Sequence, residues 1–317
     1  GVSVRGWVRV LANSGLGTPS VVVAIGNFDG FHLGHQQLIR TLKARSKELS
    51  LKSTVVTFEP HPQTYFQPHI RLTRLSSVRE KLELFRDHGV ERVIALRFNE
   101  QLASLSAEDF VRKYLVKSLS ASHVVVGYDF GFGAGRSGTA EDLQALGEAY
   151  GFGVSRVAAV SIDEQKISST RVREALEIGD LVLAERLLGR PYAISGRVLY
   201  GDQRGRTWGF PTANLLVERH NPPLRGVFAV EVAGVEHGLL PGVANLGFRP
   251  TVGGDRLLLE VHLINFSGTF YGDRIRVVFR KRIRAETKFD SFDALKDQIH
   301  KDTLMASTWL TANPRTV

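Results

Sequence analysis

The sequence predicts a parallel α/β sheet covered by helices, followed by a mostly antiparallel β-barrel with a terminal helix. Three observations carry that expectation. From Ser20 to about residue 160, short apolar runs alternate with helical stretches, the pattern of strand–helix–strand units. From Ala193 onward, strand-like runs follow one another with Gly and Pro between them, the pattern of a barrel or sandwich. A final amphipathic stretch starts near Asp290 or Ser291, with Phe292, Leu295 and Ile299 on one face.

Taken in order, Val8–Leu11 is a short candidate strand, followed by a Gly/Ser/Pro-rich connection. Val21–Ile25 is an unbroken apolar run and reads as a buried parallel strand. Residues 36–49 read as a helix, with Leu38, Ile39, Leu42 and Leu49 near one face. Further strands are expected at 54–58, 92–96, 123–127 and 154–160. Helix starts are marked by Ser77-Val78-Arg79-Glu80, Ser106 with Asp109, and Thr139 with Asp142, which have capping-box form or lie close to it. Residues 168–178 and Leu181–Leu188 read as helices that stop at Gly189-Arg190-Pro191. The domain boundary is therefore expected at 188–192, giving domains 1–188 and 189–317. Barrel strands are expected at 194–199, 227–232, 257–264 and 275–279.

The 317 residues are 43% hydrophobic and 23% charged, which is globular usage and excludes a disordered chain. No apolar run approaches about 18 residues, so no spanning helix is expected. No charged-then-apolar leader is visible, so no secretory signal is expected. Cysteine is absent, which excludes disulfides, thiolate metal sites and cysteine nucleophiles and fits a cytoplasmic location. The net charge of +9 suits either nucleic acid or anionic small molecules. Basic residues are scattered, with one dense patch at Arg280-Lys281-Arg282-Ile283-Arg284. That distribution favours small anions over nucleic acid.

The first candidate site is Gly26-Asn27-Phe28-Asp29-Gly30-Phe31-His32-Leu33-Gly34-His35. It lies between the first buried strand and a helix, beyond a carboxyl end where α/β sheets bind ligands. A helix start aims backbone N–H groups and a positive dipole end at one spot, which suits phosphate. His32 and His35 can donate there as charge builds during displacement at phosphorus. The other reading of two histidines at this spacing is a surface pair or part of a metal site.

This segment resembles the first motif of the nucleotidyltransferase superfamily, and its longer form is similar to that of the prokaryotic bifunctional riboflavin kinase/FAD synthetases. Ile167-Ser168-Ser169-Thr170-Arg171-Val172-Arg173 resembles the superfamily's second signature. Any one of those hydroxyls alone would read as a helix cap. The resemblance implies a Rossmann-like nucleotidyltransferase domain that transfers AMP from ATP to FMN. It implies that Gly26, Phe28, Asp29, Gly30, Gly34, Lys166, Ser169, Thr170 and Arg173 bind ATP. It gives charge stabilisation to His32 and His35. Pro60 and His61, in a proline-stiffened strand exit, and Asp129 and Phe130, in Gly127-Tyr128-Asp129-Phe130-Gly131-Phe132-Gly133, would then border FMN. The family usually carries a larger, often basic, residue where Gly131 stands, and Arg136 follows soon after.

In the second half, Phe210-Pro211-Thr212-Ala213-Asn214 looks like the Pro-Thr-Ala-Asn motif of riboflavin kinases. Thr212 and Asn214 are two apart on an extended segment, face one way, and offer hard oxygens suited to Mg²⁺. The resemblance implies that they bind Mg²⁺-nucleotide while Gly201, Gly205 and Gly209 cover its phosphates. Glu260 sits in a strongly apolar strand, where alternation points it with Leu258 and His262. It matches the family's catalytic glutamate, the general base for the ribityl hydroxyl. Residues 242–251 resemble a flap over the flavin, which would place Arg249 near it; Arg284 opens a second flavin-side segment.

The implied small molecules are riboflavin, FMN, FAD, ATP, ADP and pyrophosphate, with no nucleic acid or membrane partner. Two other classes are compatible with parts of the sequence. One is a different small-molecule nucleotidyltransferase with an appended barrel, which the Pro-Thr-Ala-Asn run argues against. The other is a non-catalytic flavin- or RNA-binding regulator, whose RNA binding would have to survive moderate salt.

Overall fold

The computed structural model describes residues 8–11 (backbone only), 20–70, 72–199, 212–217, 221–268, 270 and 273–315. The chain divides into two compact units, one within Gly1–Leu72 and Val78–Ser168, the other within Thr73–Ser77 and Ser169–Val317.

The first unit comprises β1 (Val8–Leu11), β2 (Val21–Ile25), α1 (Leu33–Leu49), β3 (Lys52–Glu59), α2 (Pro62–Phe66), α3 (Val78–Asp87), β4 (Arg92–Arg97), α4 (Glu100–Ala103), α5 (Ala107–Phe110), β5 (Ala121–Gly127), α6 (Ala140–Tyr150), β6 (Gly153–Val157) and a small hairpin of β7 (Ser161–Ile162) and β8 (Gln165–Lys166). A π-helical stretch, Val111–Ser118, continues α5. Strands β1 to β6 form one parallel sheet in the order β1-β4-β3-β2-β5-β6. The chain moves one way from β2 through β3 to β4 and the other way through β5 to β6. The carboxyl end of β2 is therefore at the switch point, the usual ligand crevice of such a sheet. All five residues of β2 are buried. Val21, Val23 and Ile25 join one core cluster, and Val22 and Ala24 join another. Two covered faces explain why this strand shows no polar alternation.

The second unit contains α7 (Ser169–Glu177), α8 (Leu181–Leu188), β9 (Ala193–Arg197), β10 (Thr212–Leu216), β11 (Gly226–Ala233), β12 (Leu240–Thr251), β13 (Gly254–Leu263), β14 (Arg274–Arg284) and α9 (Phe292–Ala312). Helices α7 and α8 pack on each other, and α8 packs against β14. This is why the unit begins at Ser169, earlier in the chain than the expected boundary at 188–192. The strands form an antiparallel sheet in the order β10-β13-β12-β11-β14-β9. Its ends approach where Leu199 N–H donates to Asn214 O at 2.8 Å, so the barrel is nearly closed.

Phe228, Val230, Ala244, Leu246, Leu259 and Val261 are fully buried and fill one face of the sheet. The alternate residues turn the other way, and there Val227, Ala229 and Val243 pack with Ala306 of α9. Ser291 caps α9, accepting from Ala294 N–H at 3.0 Å.

One expectation of the fold needs correction. Residues 242–251, expected as a flap, lie within the long strand β12, paired in continuous register with β13 from Gly242↔Leu263 to Thr251↔Gly254. Gly242, Gly247 and Pro250 hide a strand whose other positions are mostly apolar. The segment from Thr212, read as extended, is the strand β10, paired with β13.

Candidate active sites

In the first unit the turn after β2 is held by its own side chains. Phe28, Gly30 and Phe31 have φ values of 56°, 84° and 49°. Phe28 and Phe31 accept that left-handed backbone because both rings are buried against Phe85, with centroids 5.0 and 5.6 Å away. Phe28 was expected to bind ATP; its ring lies in the core. Asp29 is buried within the same turn. Asn27 keeps a buried Oδ1 with no hydrogen-bond partner.

His32 is the N-cap of α1. Its Nδ1 accepts from Gly34 N–H at 3.1 Å and from His35 N–H at 3.3 Å. This corrects the expectation that these backbone donors stay open for phosphate. It also fixes the neutral ring's proton on Nε2, since an accepting Nδ1 must carry its lone pair. A Cβ at Gly34 would lie 2.9 Å from the His32 ring, so the glycine between the histidines makes room for the cap. His35, on the first turn of α1, stacks on His32 with centroids 3.6 Å apart and planes within 16°. The two imidazoles thus form one block.

Lys81 of α3 is 6% exposed. Its Nζ donates to Asn27 O and to Glu59 Oε1, both at 3.1 Å. It ties the turn after β2 to the end of β3 and was not singled out from sequence. The available signal was a lysine four residues before Phe85 on a helical apolar face. Replacing Lys81→Met should cost roughly 1–3 kcal/mol, because Asn27 O and Glu59 Oε1 lose the ammonium that donates to them. FAD formation should fall about tenfold as the turn loosens. Urea unfolding and an FAD assay check this; a variant unchanged in both would remove the role.

Pro60 follows β3 and is exposed, while His61 caps α2, accepting from Gln63 N–H at 3.1 Å. Phe130 stacks on Phe132 at 5.3 Å, and Asp129 is exposed beside it. A Cβ at Gly131 would lie 2.8 Å from Arg136 Nε. The Arg136 guanidinium therefore occupies the space that a side chain at position 131 would need. Lys166 is exposed, with Nζ 4.5 Å from the centre of the Tyr128 ring. Ser169, Thr170 and Arg173 belong to the second unit, on α7, where Arg173 Nε donates to Thr73 O at 3.1 Å.

In the second unit one row of side chains crosses five strands. Asn214, Glu260, Asn245, Val227 and Arg284 are paired in register from β10 to β14. Directly paired residues share a face. Glu260, Asn245, Val227 and Arg284 line a cavity of about 520 Å³ that α9 covers with Phe292, Leu295, Ile299 and Asp302. That volume is in the range of small-molecule sites. In the next row His262 stands opposite Thr212, and His262 Nδ1 lies 2.9 Å from Thr212 Oγ1. Burial pushes the His262 pKa down to about 4, with Asp302 only partly opposing it, so the ring is neutral at pH 7.

The carboxylate of Glu260 accepts from Arg249 Nε at 2.9 Å, and Arg249 Nη1 also donates to Glu286 at 2.8 Å. Burial opposes the charge on Arg249, but Glu260 and Glu286 outweigh it and hold its pKa above the ordinary value. Arg284 is bound by Asp302 through three contacts of 2.8–3.1 Å. Arg280 pairs with Glu231, so the basic run on β14 is partly neutralised from within the unit. Sequence reading missed Asn245 and Asp302. Each lies near an apolar residue on its own element, Asn245 near Val243 on β12 and Asp302 between Ile299 and Ala306 on α9. Gly201, Gly205 and Gly209 lie outside the described residues. Among the described residues no cluster of three His, Asp or Glu could hold a metal by itself.

Residues 17–171 match the family model for FAD synthetase, and residues 188–310 match that for riboflavin kinase. The bifunctional riboflavin kinase/FMN adenylyltransferase of Escherichia coli K12 is 47% identical over 285 residues, 90% of this chain and 91% of that protein. The chain belongs to the bifunctional riboflavin kinase/FMN adenylyltransferase family. The Haemophilus influenzae member is 43% identical over 302 residues, 95% of this chain and 98% of that protein. A solved structure named as a macrolide-efflux protein from Streptococcus pneumoniae is also similar, with a TM-score of 0.79 and 36% identity over 92% of this chain and 96% of that one. Among the described residues no helix is long and apolar enough to cross a membrane.

As a riboflavin kinase/FMN adenylyltransferase, the chain phosphorylates riboflavin to FMN with ATP, then transfers AMP from ATP to FMN, giving FAD and pyrophosphate. Families with these two activities use ATP and a divalent metal.

Proposed function

We propose that the two activities use separate sites, the adenylyltransferase within residues 1–188 and the riboflavin kinase within 189–317. The observation that carries this is the polar row Asn214–Glu260–Asn245, most of which faces a flavin-sized cavity wholly within the second unit. Glu260 takes the proton of the ribityl hydroxyl as its oxygen attacks the γ-phosphorus of ATP. Arg249 holds the carboxylate in place, and Arg284, fixed by Asp302, forms part of the flavin seat. In the adenylyltransferase, the FMN phosphate attacks the α-phosphorus in line, and pyrophosphate leaves. His32 and His35 stabilise the charge that develops there. On the family resemblance, Gly26, Gly30, Gly34, Asp29, Lys166, Ser169, Thr170 and Arg173 serve ATP. Pro60, His61, Asp129 and Phe130 serve FMN on the same ground. A cytoplasmic location is part of the same reading.

The kinase metal is proposed to be Mg²⁺. Thr212 and Asn214 fit it: they present hard, neutral oxygens at alternate positions of β10, and phosphate and water supply the other ligands of such an ion. Bound Mg²⁺ neutralises the phosphates of ATP there. His262, within hydrogen-bond reach of Thr212 Oγ1, holds that hydroxyl. Thr212→Ala should raise the Mg²⁺ concentration needed for FMN formation by about tenfold or more. A Mg²⁺ titration of kinase rate tests it, and an unchanged requirement would remove Thr212 from the metal site.

The overall reading is tested by incubating the protein with riboflavin, ATP and Mg²⁺ and separating the flavins by chromatography. FMN should appear first and FAD after it. Riboflavin left unchanged across several conditions would sink the reading.

A further inference from the structure

We propose that Asn245 holds the acceptor polyol of the kinase reaction, accepting a hydrogen bond from the hydroxyl next to the one that is phosphorylated. The inference rests on the barrel cavity being the riboflavin kinase site. Asn245 stands directly opposite Glu260 across β12 and β13, and both line the cavity. Its Oδ1 is buried and has no hydrogen-bond partner. A buried acceptor left unsatisfied opposes folding, so it marks a place where a ligand donor belongs.

The neighbours narrow the ligand. On one side of Asn245 the row continues to Val227, which offers no polar group, and to Arg284, whose guanidinium is held by Asp302. On the other side are Glu260 and then Asn214. Two oxygen acceptors thus stand on adjacent strands, with side chains about 5 Å apart at Cβ. An anion would be repelled by Glu260. A chain of vicinal hydroxyls offers two donors at a matching spacing, which a flavin ring alone does not.

The roles then divide. One hydroxyl gives its proton to Glu260 while its oxygen bonds to the γ-phosphorus, and the bond from that phosphorus to the bridging oxygen breaks to release ADP. The neighbouring hydroxyl donates to Asn245 and keeps its proton throughout. Asn214, on the opposite flank of Glu260, belongs to the nucleotide side. Donor and acceptor therefore approach Glu260 from opposite strands, as in-line transfer requires.

The test uses the full chain and two flavins, riboflavin and lumiflavin, which replaces the ribityl chain with a methyl group. Binding is followed by flavin fluorescence. Asn245→Ala should weaken riboflavin about tenfold, the effect of one lost hydrogen bond. It should leave lumiflavin binding and the KM for ATP unchanged, and unchanged lumiflavin binding also shows that the cavity is intact. Asn245→Ser, which keeps an oxygen, should recover part of the loss. Equal loss for both flavins, or no loss for riboflavin, overturns the inference. The underlying site reading fails separately: full kinase activity in Glu260→Gln would remove the cavity from the reaction altogether. Lost activity in Glu260→Gln with unaltered riboflavin binding in Asn245→Ala would overturn this inference alone.

Discussion

Glu260→Gln is expected to lower riboflavin phosphorylation by roughly 10² to 10⁴, the usual contribution of a positioned general base. FAD formation from supplied FMN should not change. Glutamine keeps the shape of the side chain and can still accept from Arg249 Nε, while Arg249 keeps Glu286 as a charge partner. The cavity wall is therefore expected to survive, and the loss should fall on kcat with little change in the KM for riboflavin. Measuring FMN and FAD separately, from riboflavin and from supplied FMN, decides the matter. A single site shared by both reactions would lose both products. If the folded variant loses FAD formation from FMN, the separation into two sites is wrong.

Much of this arrangement was legible in the sequence, for identifiable reasons. Val21–Ile25 and Leu181–Leu188 have the bounds that the sequence predicts, because an unbroken apolar run and a capped, glycine-stopped helix are local signals. The Thr139 capping box is present with both of its reciprocal bonds. Strand β12 was not legible, because Gly242, Gly247 and Pro250 read as turns until β11 and β13 flank them. In the candidate sites, the residue types were readable and their contacts were not. His32 was singled out at the start of a helix, but its use of Nδ1 as the cap depends on the turn's backbone. Phe28 reads as part of a motif, and only the position of Phe85 shows that its ring belongs to the core. Lys81, Asn245 and Asp302 owe their significance to partners 18 to 54 residues away or to a missing one.

The double use of His32 leads to the second large effect. His32→Asn should lower FAD formation by roughly 10² to 10³, the cost of one lost transition-state donor, and the reaction from riboflavin should stop at FMN. Asparagine is among the best N-cap residues, so its Oδ1 can replace Nδ1 as acceptor for Gly34 and His35 N–H. Its short side chain does not reach where the Nε2 proton was. Stability should therefore stay close to that of the parent protein, whereas His32→Ala should also lose about 0.5–2 kcal/mol with the cap. The pair of variants separates the two functions of one ring. If His32 acts as a donor, both variants lose FAD formation alike and differ only in thermal stability. If His32 serves only to start α1, asparagine restores FAD formation and alanine does not, and the proposed role at the α-phosphorus must be given up. Retained FMN formation in both variants, measured in the same chromatograms, shows that the kinase site is intact while the first site is tested.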